Sequence, residues 1–369
     1  MQLALTPEEA AFRDELRTFY RTKIPEEIRE RTRLGAEVSR EDIVTSHKIL
    51  NDNGLAVPNW PVEWGGKDWT PTQQQIWLDE MQLASVPEPL TFNANMVGPV
   101  IAEFGSQEIK ERFLPPTAAL DIWWCQGFSE PEAGSDLASL TTTAVRDGDD
   151  YLITGHKIWT SYSDVADWCL VLARTDKAVP KHRGISAFIV SMHQPGIEQR
   201  PLKMISGVTK EFGQVAFDGA RVPAENMVGA PGEGWKLAMT VVSHEREPST
   251  LGFSARYGKT VRHMASQWQG APPEELTWAW VQTEMLRLHV RRRLSEQLDG
   301  LTHGPQGSLD KLLMTWVEQS VGHAALKTVG TADEELFGAY MYSRAQSVMG
   351  GTSQIQKNII AQRILGLGG

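Results

Sequence analysis

Hydrophobic and polar positions alternate in three different ways along the chain. Up to about residue 118 apolar residues recur every three or four positions, as in Phe12, Leu16 and Phe19, which is the spacing of a helix with one buried face. Thr6-Pro7-Glu8-Glu9 is a helix start: a capping hydroxyl, a proline at the first position, acids in the first turn. The pattern predicts further helices from about Pro71 to Ala84, Asn93 to Phe104 and Gln107 to Leu114, with the Pro- and Gly-rich stretch from Val57 to Gly66 as a loop. Between residue 119 and about 230 the period falls to two. Val, Ile and Thr alternate with polar residues, Ala187–Val190 and Gln214–Phe217 are strand candidates, and Asp147-Gly148-Asp149-Asp150 between β-formers is a hairpin signal. From Gly232 the helical period returns. Trp235, Leu237, Ala238, Met239, Val241 and Val242 form an apolar helix whose pattern breaks abruptly at Ser243-His244-Glu245-Arg246-Glu247-Pro248. Leu276–Leu298, Leu309–Val329 and Glu335–Val348 then carry apolar residues spaced for a bundle. The expectation is an α+β protein of three parts: an N-terminal helical domain (1–118), a middle β-domain (119–230) and a C-terminal helical bundle (231–369).

Composition narrows the function. With 36 Lys and Arg against 46 Asp and Glu the formal charge is −10, which argues against nucleic acid as a partner. No apolar run approaches the length of a membrane span, and the N-terminal stretch lacks the basic and apolar segments of a signal peptide. Cys125 and Cys169 have no metal or redox spacing and are expected to be buried, reduced thiols, which suits a cytoplasmic setting. The histidines form no H-x-x-x-H pair, so no metal site is expected. Arg291-Arg292-Arg293 is expected to be a solvated helix face.

The stretch from Gln126 to Ser161 carries the chemistry. Phe128-Ser129-Glu130-Pro131-Glu132-Ala133-Gly134-Ser135-Asp136 stands at one end and Gly155-His156-Lys157-Ile158-Trp159-Thr160-Ser161 at the other. In the first, Pro131 and Gly134 bend the backbone and Ser129 and Ser135 add hydroxyls beside exposed amides, a turn suited to a carbonyl-rich ring or a phosphate. In the second, Trp159 offers a flat apolar face. Strand alternation would place Ser161 on the same side as that ring.

This pair of segments resembles the flavin-binding middle domain of the acyl-CoA dehydrogenase family, with its S/T-E-P-x-A-G-S-D and G-x-K-x-W-x-T/S signatures. The resemblance extends over nearly the whole chain; Val57–Gly66 is similar to the family's P-x-E-x-G-G turn and Val222–Gly229 to its exit from the β-domain. It implies the acyl-CoA dehydrogenase fold, FAD as cofactor, an acyl-CoA thioester as substrate and α,β-desaturation, with electrons passed to an electron-transfer flavoprotein. By resemblance, Gln126, Phe128 and Ser129 contact the flavin ring, Trp159 flanks it, Ser161 hydrogen-bonds near its N5 edge, Ser135 contacts the CoA arm, and Thr352 and Gln354 contact the adenosine.

Desaturation of a thioester requires a carboxylate to remove the α-proton while a hydride leaves the β-carbon for the flavin, and burial makes such a carboxylate a stronger base. The family places it in one of two positions. In the C-terminal loop, written Y-E-G-T-S-Q-I-Q in straight-chain enzymes, this chain has Met349-Gly350-Gly351-Thr352, and Gly350 cannot take a proton. The other position lies on the helix after the β-domain, just before an arginine, where this chain has Glu245-Arg246. The resemblance therefore implies Glu245 as base and Arg246 as a residue orienting the substrate; Glu247, without the following arginine, is the nearest rival.

Two segments depart from the family pattern. Homotetrameric relatives supply the flavin of a neighbouring subunit with R-x-x-F-G and G-G-x-G-Y segments. Here the corresponding stretches are Gln267-Trp268-Gln269-Gly270-Ala271-Pro272-Pro273 and Gly322–Gly330. This resembles the large subunit of α2β2 dehydrogenases acting on bulky, branched or dicarboxylic acyl-CoAs, such as the steroid side-chain and pimeloyl types, and implies a paralogous β subunit as partner. Two alternatives remain at this point: a non-catalytic structural subunit of such a complex, and an oxygen-using flavin oxidase or monooxygenase of the same fold.

Overall fold

The computed structural model describes residues 4–33, 38–206, 211–301, 304–331 and 333–368; within them the side chains of residues 244–251 and 335 are not described. The chain forms two compact units. One comprises Met1–Ile49, Asp68–Glu88 and Glu245–Gly369, the other Leu50–Lys67 and Pro89–His244.

The first unit is helical. Its N-terminal helices are α1 (Pro7–Lys23), α2 (Glu26–Arg33), α3 (Arg40–Asp52) and α4 (Pro71–Leu83). Thr6 closes the expected capping box with Glu9, and Thr70 with Gln73 does the same at the start of α4. Buried Glu80 of α4 receives a two-pronged hydrogen bond from Arg17 of α1, at 2.7 and 2.9 Å.

The second unit begins with α5 (Gly98–Phe104), which follows a π turn at Phe92–Val97, and α6 (Gln107–Ala118), which runs on through Pro115 and Pro116. Strands β1 (Trp124–Gly127), β2 (Thr143–Asp147), β3 (Asp150–Ser161), β4 (Trp168–Arg174), β5 (Ile185–Ser191), β6 (Ile197–Pro201), β7 (Phe212–Pro223) and β8 (Met227–Val228) follow. They form one sheet in the order β6-β7-β3-β2-β4-β5-β8, with β1 added in parallel on β4. The Asp147-Gly148 hairpin is present, with Asp147 opposite Asp150 and Gly148 at φ 63°. Ile153, Val171, Phe188, Val190, Val215 and Phe217 fill the core of this unit. Cys125 and Cys169 are free, buried and directly opposite each other on β1 and β4.

Trp60 ties the loop before this domain to its first helix. Its indole N–H donates to the carbonyl of Ala94 at 2.6 Å, and the ring lies where a side chain at position 98 would be. A Cβ on Gly98 would stand 1.9 Å from the Trp60 ring, against a tightly filled interior. Gly98→Ala is therefore expected to cost about 1–3 kcal/mol through overpacking, measured as a lower denaturant midpoint at unchanged slope.

The chain then enters α7 (Gly234–Gln267), a single helix of 34 residues, followed by α8 (Glu274–Leu298), α9 (Gly307–Thr328), α10 (Glu334–Ser343) and α11 (Ser353–Ile359). The break expected at Ser243–Pro248 is a break of polarity only: the backbone stays helical through Pro248. Val261, Met264, Leu286, Val290, Val317 and Val321 pack the lower part of α7 against α8 and α9, with Leu336 of α10 against the same core.

The arginine run is a second correction. Arg293 is buried, not solvated. It donates to Asp310 at 3.2 Å and pairs with Glu296 at 3.3 Å, while His289 meets the other Asp310 oxygen at 2.6 Å. Its position explains this: Leu286, Val290 and Arg293 follow one another on the inward stripe of α8, whereas Arg292 faces outward.

Candidate active site

The two signature segments meet through a buried ion pair. Lys157 is only 1 % exposed because its position on β3 points into the sheet's core, yet it carries a charge. Its ammonium donates to the Glu130 carboxylate at 2.9 Å and to the Phe128 carbonyl at 3.0 Å. The rest of the Glu130 carboxylate is satisfied as well: the Thr141 amide and hydroxyl donate to one oxygen at 2.7 Å each, and the Thr142 amide to the other at 2.9 Å. Burial drives the Glu130 carboxyl upward, but the Lys157 charge and these hydrogen bonds outweigh it and hold the group at about 2. Burial lowers Lys157 to about 8, with Glu130 opposing the fall, so the pair is ionised at neutral pH.

That pair fixes the turn at residues 128–134. The Ile158 amide donates to the Ser129 carbonyl at 3.0 Å, joining the two segments by backbone also. Glu130 and Ala133 exchange backbone hydrogen bonds of 3.0 and 3.1 Å around Pro131 and Glu132. A Cβ on Gly134 would meet nothing within 4 Å, and Ser135 beside it is exposed. Beyond Ser135, Lys181 holds Asp136 with contacts of 2.8 and 2.9 Å, lowering that carboxyl, and Arg174 donates to the carbonyls of Ala138 and Leu140.

Trp159 stands where β3 departs from regular pairing. The register with β7 shifts between Ile158 and Thr160, and Trp159 has φ 62°. A bulged residue of this kind is turned out of the sheet, and the indole is 59 % exposed. Simple alternation therefore does not relate Trp159 to Ser161. The two gather around Phe212 instead: Ser161 is its cross-strand partner, and the Trp159 ring meets it edge-on at 6.1 Å.

Of the other residues expected here, Phe128 has a buried side chain, which leaves its backbone for contact, and Ser129 is half-buried. Gln126 on β1 has its amide oxygen buried without a partner among the described residues. Such an orphan acceptor calls for a donor from outside the chain. An exposed indole held in a strained backbone conformation, an unsatisfied buried acceptor and an open glycine turn suit a planar, N–H-bearing ring, so the residues present fit a flavin.

Glu245, Arg246 and Glu247 lie on the backbone of α7, and their side chains fall outside the described residues. Thr352 and Gln354 belong to the helical unit. The Thr352 hydroxyl accepts the Ile355 amide as the cap of α11, and Gln354 is exposed. Gly350 and Gly351, in the loop that carries the glutamate of straight-chain enzymes, have φ 62° and 90°, and the buried amide of Gln356 donates to both carbonyls. Sequence reasoning passed over Glu130 and Lys157 as partners. The available signal was a lysine at an inward strand position, which demands a buried counter-charge.

The comparisons with known proteins agree with this architecture. The acyl-CoA dehydrogenase N-terminal, middle and C-terminal domain families match residues 6–121, 125–220 and 232–365. Acyl-CoA dehydrogenase IpdE1 of Mycobacterium tuberculosis is 36 % identical over 330 residues, 85 % of each chain, and FadE26 of the same organism is 32 % identical over 100 % of this chain and 99 % of its own. Among solved structures, the Tcur3481-Tcur3483 steroid ACAD superposes with a TM-score of 0.87 at 29 % identity over the whole of both chains. The ChsE4-ChsE5 complex from Mycobacterium tuberculosis gives 0.85 at 29 %, again over both whole chains. The chain belongs to the acyl-CoA dehydrogenase family. It is an oxidoreductase acting on a CH–CH group of acyl-CoA, and its likeness to heteromeric steroid dehydrogenases matches the α2β2 resemblance seen in its sequence.

Proposed function

We propose that the chain is the flavin-bearing, catalytic subunit of a heteromeric acyl-CoA dehydrogenase that takes a bulky, branched or dicarboxylic acyl group and passes electrons to an electron-transfer flavoprotein. FAD, when bound, accepts the hydride that leaves the β-carbon. The chain's own residues do the rest. Gln126, Ser129 and the Phe128 backbone hold the ring at its polar edge, Trp159 covers a face, and Ser161 lies toward N5. Ser135 receives the CoA arm, while Thr352 and Gln354 take the adenosine. Glu245 removes the α-proton, with Arg246 orienting the thioester.

The observation that carries this reading is the Glu130–Lys157 pin, which ties the Ser129 turn to the strand presenting Trp159. The heteromeric part draws support from the likeness to two-component complexes and from the stretch Gln267–Pro273. There α7 ends, and the Trp268 indole donates to the Ala271 carbonyl across Gly270 at 2.9 Å. That turn offers no arginine to a neighbouring diphosphate.

Anaerobic addition of acyl-CoA thioesters to the flavinated protein tests the activity. Bleaching of the flavin absorbance with slow reoxidation in air is expected. Rapid reoxidation by oxygen would point to an oxidase, and no bleaching by any thioester would sink the catalytic reading. Expressed alone, the chain is expected to lose FAD and to recover it on co-expression with a paralogous subunit; a fully flavinated, active homotetramer of this chain overturns the heteromeric part.

A further inference from the structure

The β-domain unit carries a cleft that no flavin or thioester contact uses. It has a volume of about 570 Å³ and lies between the start of α6, the β2–β3 hairpin and the segment from Ala224 to Pro231. Tyr151 in its wall is eight positions before Trp159 on β3, roughly 26 Å at the rise of a strand, so the cleft stands at the other end of that strand from the exposed indole. Two arginines line it, one from α6 and one from the hairpin, and both are held in place. Arg112 lies over the Phe113 and Trp168 rings, 4.9 and 5.5 Å from their centroids, and donates to the Asn226 amide oxygen at 3.2 Å. Asn226 is buried and is itself anchored, its side-chain N–H donating to the Ile189 carbonyl at 3.2 Å. Arg146 lies 5.1 Å from the ring centroid of Tyr151, its cross-strand partner, and donates through Nε to the Gly148 carbonyl at 2.6 Å. Each guanidinium thus uses one hydrogen bond for its own positioning, and the rest of its fork has no hydrogen-bond partner among the described residues. Seated on a ring, each arginine has less freedom left to lose when a ligand arrives.

We propose that this cleft binds an organic carboxylate with a bulky apolar body. The two acids in its lining leave the arginines available. Glu108 is held at the start of α6 by its own amide and by Ser106, which lowers its carboxyl. Glu225 is exposed and comes no nearer to Arg112 than 4.0 Å, beyond hydrogen-bond distance. A carboxylate is the flat, singly charged partner that a guanidinium fork takes with two parallel hydrogen bonds. Ile109, Met227 and Pro231 add apolar surface for the body of the ligand. A phosphate would instead bring a second negative charge close to Glu108 and Glu225. The acid released by hydrolysis of a bulky acyl-CoA belongs to the class that fits. The inference depends neither on the flavin nor on a paralogous subunit.

Isothermal titration calorimetry of the full-length chain at low ionic strength tests the site. The probe is 1-adamantanecarboxylate, with 1-adamantanemethanol as its uncharged match and inorganic phosphate as the rival anion. The acid should bind with a single-site isotherm, and the alcohol and phosphate should bind about tenfold more weakly or worse. Arg112→Gln and Arg146→Gln should each weaken binding of the acid about tenfold. Arg112→Lys keeps the charge without the fork and should recover only part of the loss. Glu225→Gln removes the nearest competing charge and should tighten binding about twofold. Arg146→Gln, on an exposed hairpin, and Glu225→Gln probe the cleft without disturbing the stack of Arg112 on Phe113 and Trp168, and circular dichroism checks that every variant is folded. No binding of the acid, an alcohol that binds as well as the acid, or folded arginine variants that bind it like the wild type each overturns the proposal, the last by placing the probe elsewhere on the chain. Phosphate binding more tightly than the acid equally overturns it, because the cleft would then be built for another anion.

Discussion

Glu245→Gln is expected to leave FAD content and thermal stability near wild type and to lower turnover by about 10²–10⁴-fold. The amide keeps the shape of the carboxylate but cannot receive the α-proton, so the loss should appear in the rate of flavin bleaching within the bound complex and not in thioester affinity. Glu247→Gln serves as the control and should retain most activity. The other base position of the family cannot simply be refilled. Gly350 has φ 62°, a backbone conformation that costs an L-residue roughly 1–2 kcal/mol, and its carbonyl is held by Gln356. Gly350→Glu in the Glu245→Gln background should therefore restore little, because the new side chain would need a turn of different shape. Near-normal bleaching in Glu245→Gln itself would remove that residue from the mechanism.

Where local chemistry decides the structure, the sequence was legible. The Thr6–Glu9 capping box, the Asp147-Gly148 hairpin and the strands around Ala187–Val190 and Gln214–Phe217 are each set by a few neighbouring residues, and each is present. Where partners lie far apart along the chain it was not. Glu130 and Lys157 are 27 positions apart, and nothing in either segment announces that one neutralises the other inside the core. Arg293 was concealed by its neighbours, since three successive arginines suggest a wet surface; only the register of Leu286 and Val290 sets it on the inward face. Trp159 shows a third kind of limit. Alternation predicted a shared side with Ser161, but a bulge at a non-glycine residue with positive φ leaves no mark in the local composition. Two of these three departures, the Glu130–Lys157 pair and the Trp159 bulge, fall in the segments proposed to hold the flavin.

Lys157→Met is expected to destabilise the β-domain by about 3–5 kcal/mol, the cost of leaving a buried carboxylate without its counter-charge. The Glu130 carboxylate has no solvent to turn to, and its remaining donors, the Thr141 and Thr142 groups, do not supply a full positive charge. Glu130→Gln with Lys157→Met, which removes both charges, should recover much of that loss, because the penalty lies in the unpaired ion more than in the missing attraction. Acid provides an independent check. Glu130 is held at about 2 in the folded chain against an ordinary value of 4.5, so its contribution is complete above about pH 4.5 and is lost as pH falls toward 2. The stability difference between wild type and Lys157→Met should accordingly be largest near neutrality and should shrink below pH 4.5, as protonation removes the charge that the lysine was neutralising. Denaturant titrations at pH 7 and pH 4 measure both quantities. Because Lys157 also holds the Phe128 carbonyl, the single variant should release flavin at denaturant concentrations well below those that melt the helical unit. A loss of stability that is equal at both pH values would mean that Lys157 acts there by packing alone and that the ion pair is not what joins the two segments.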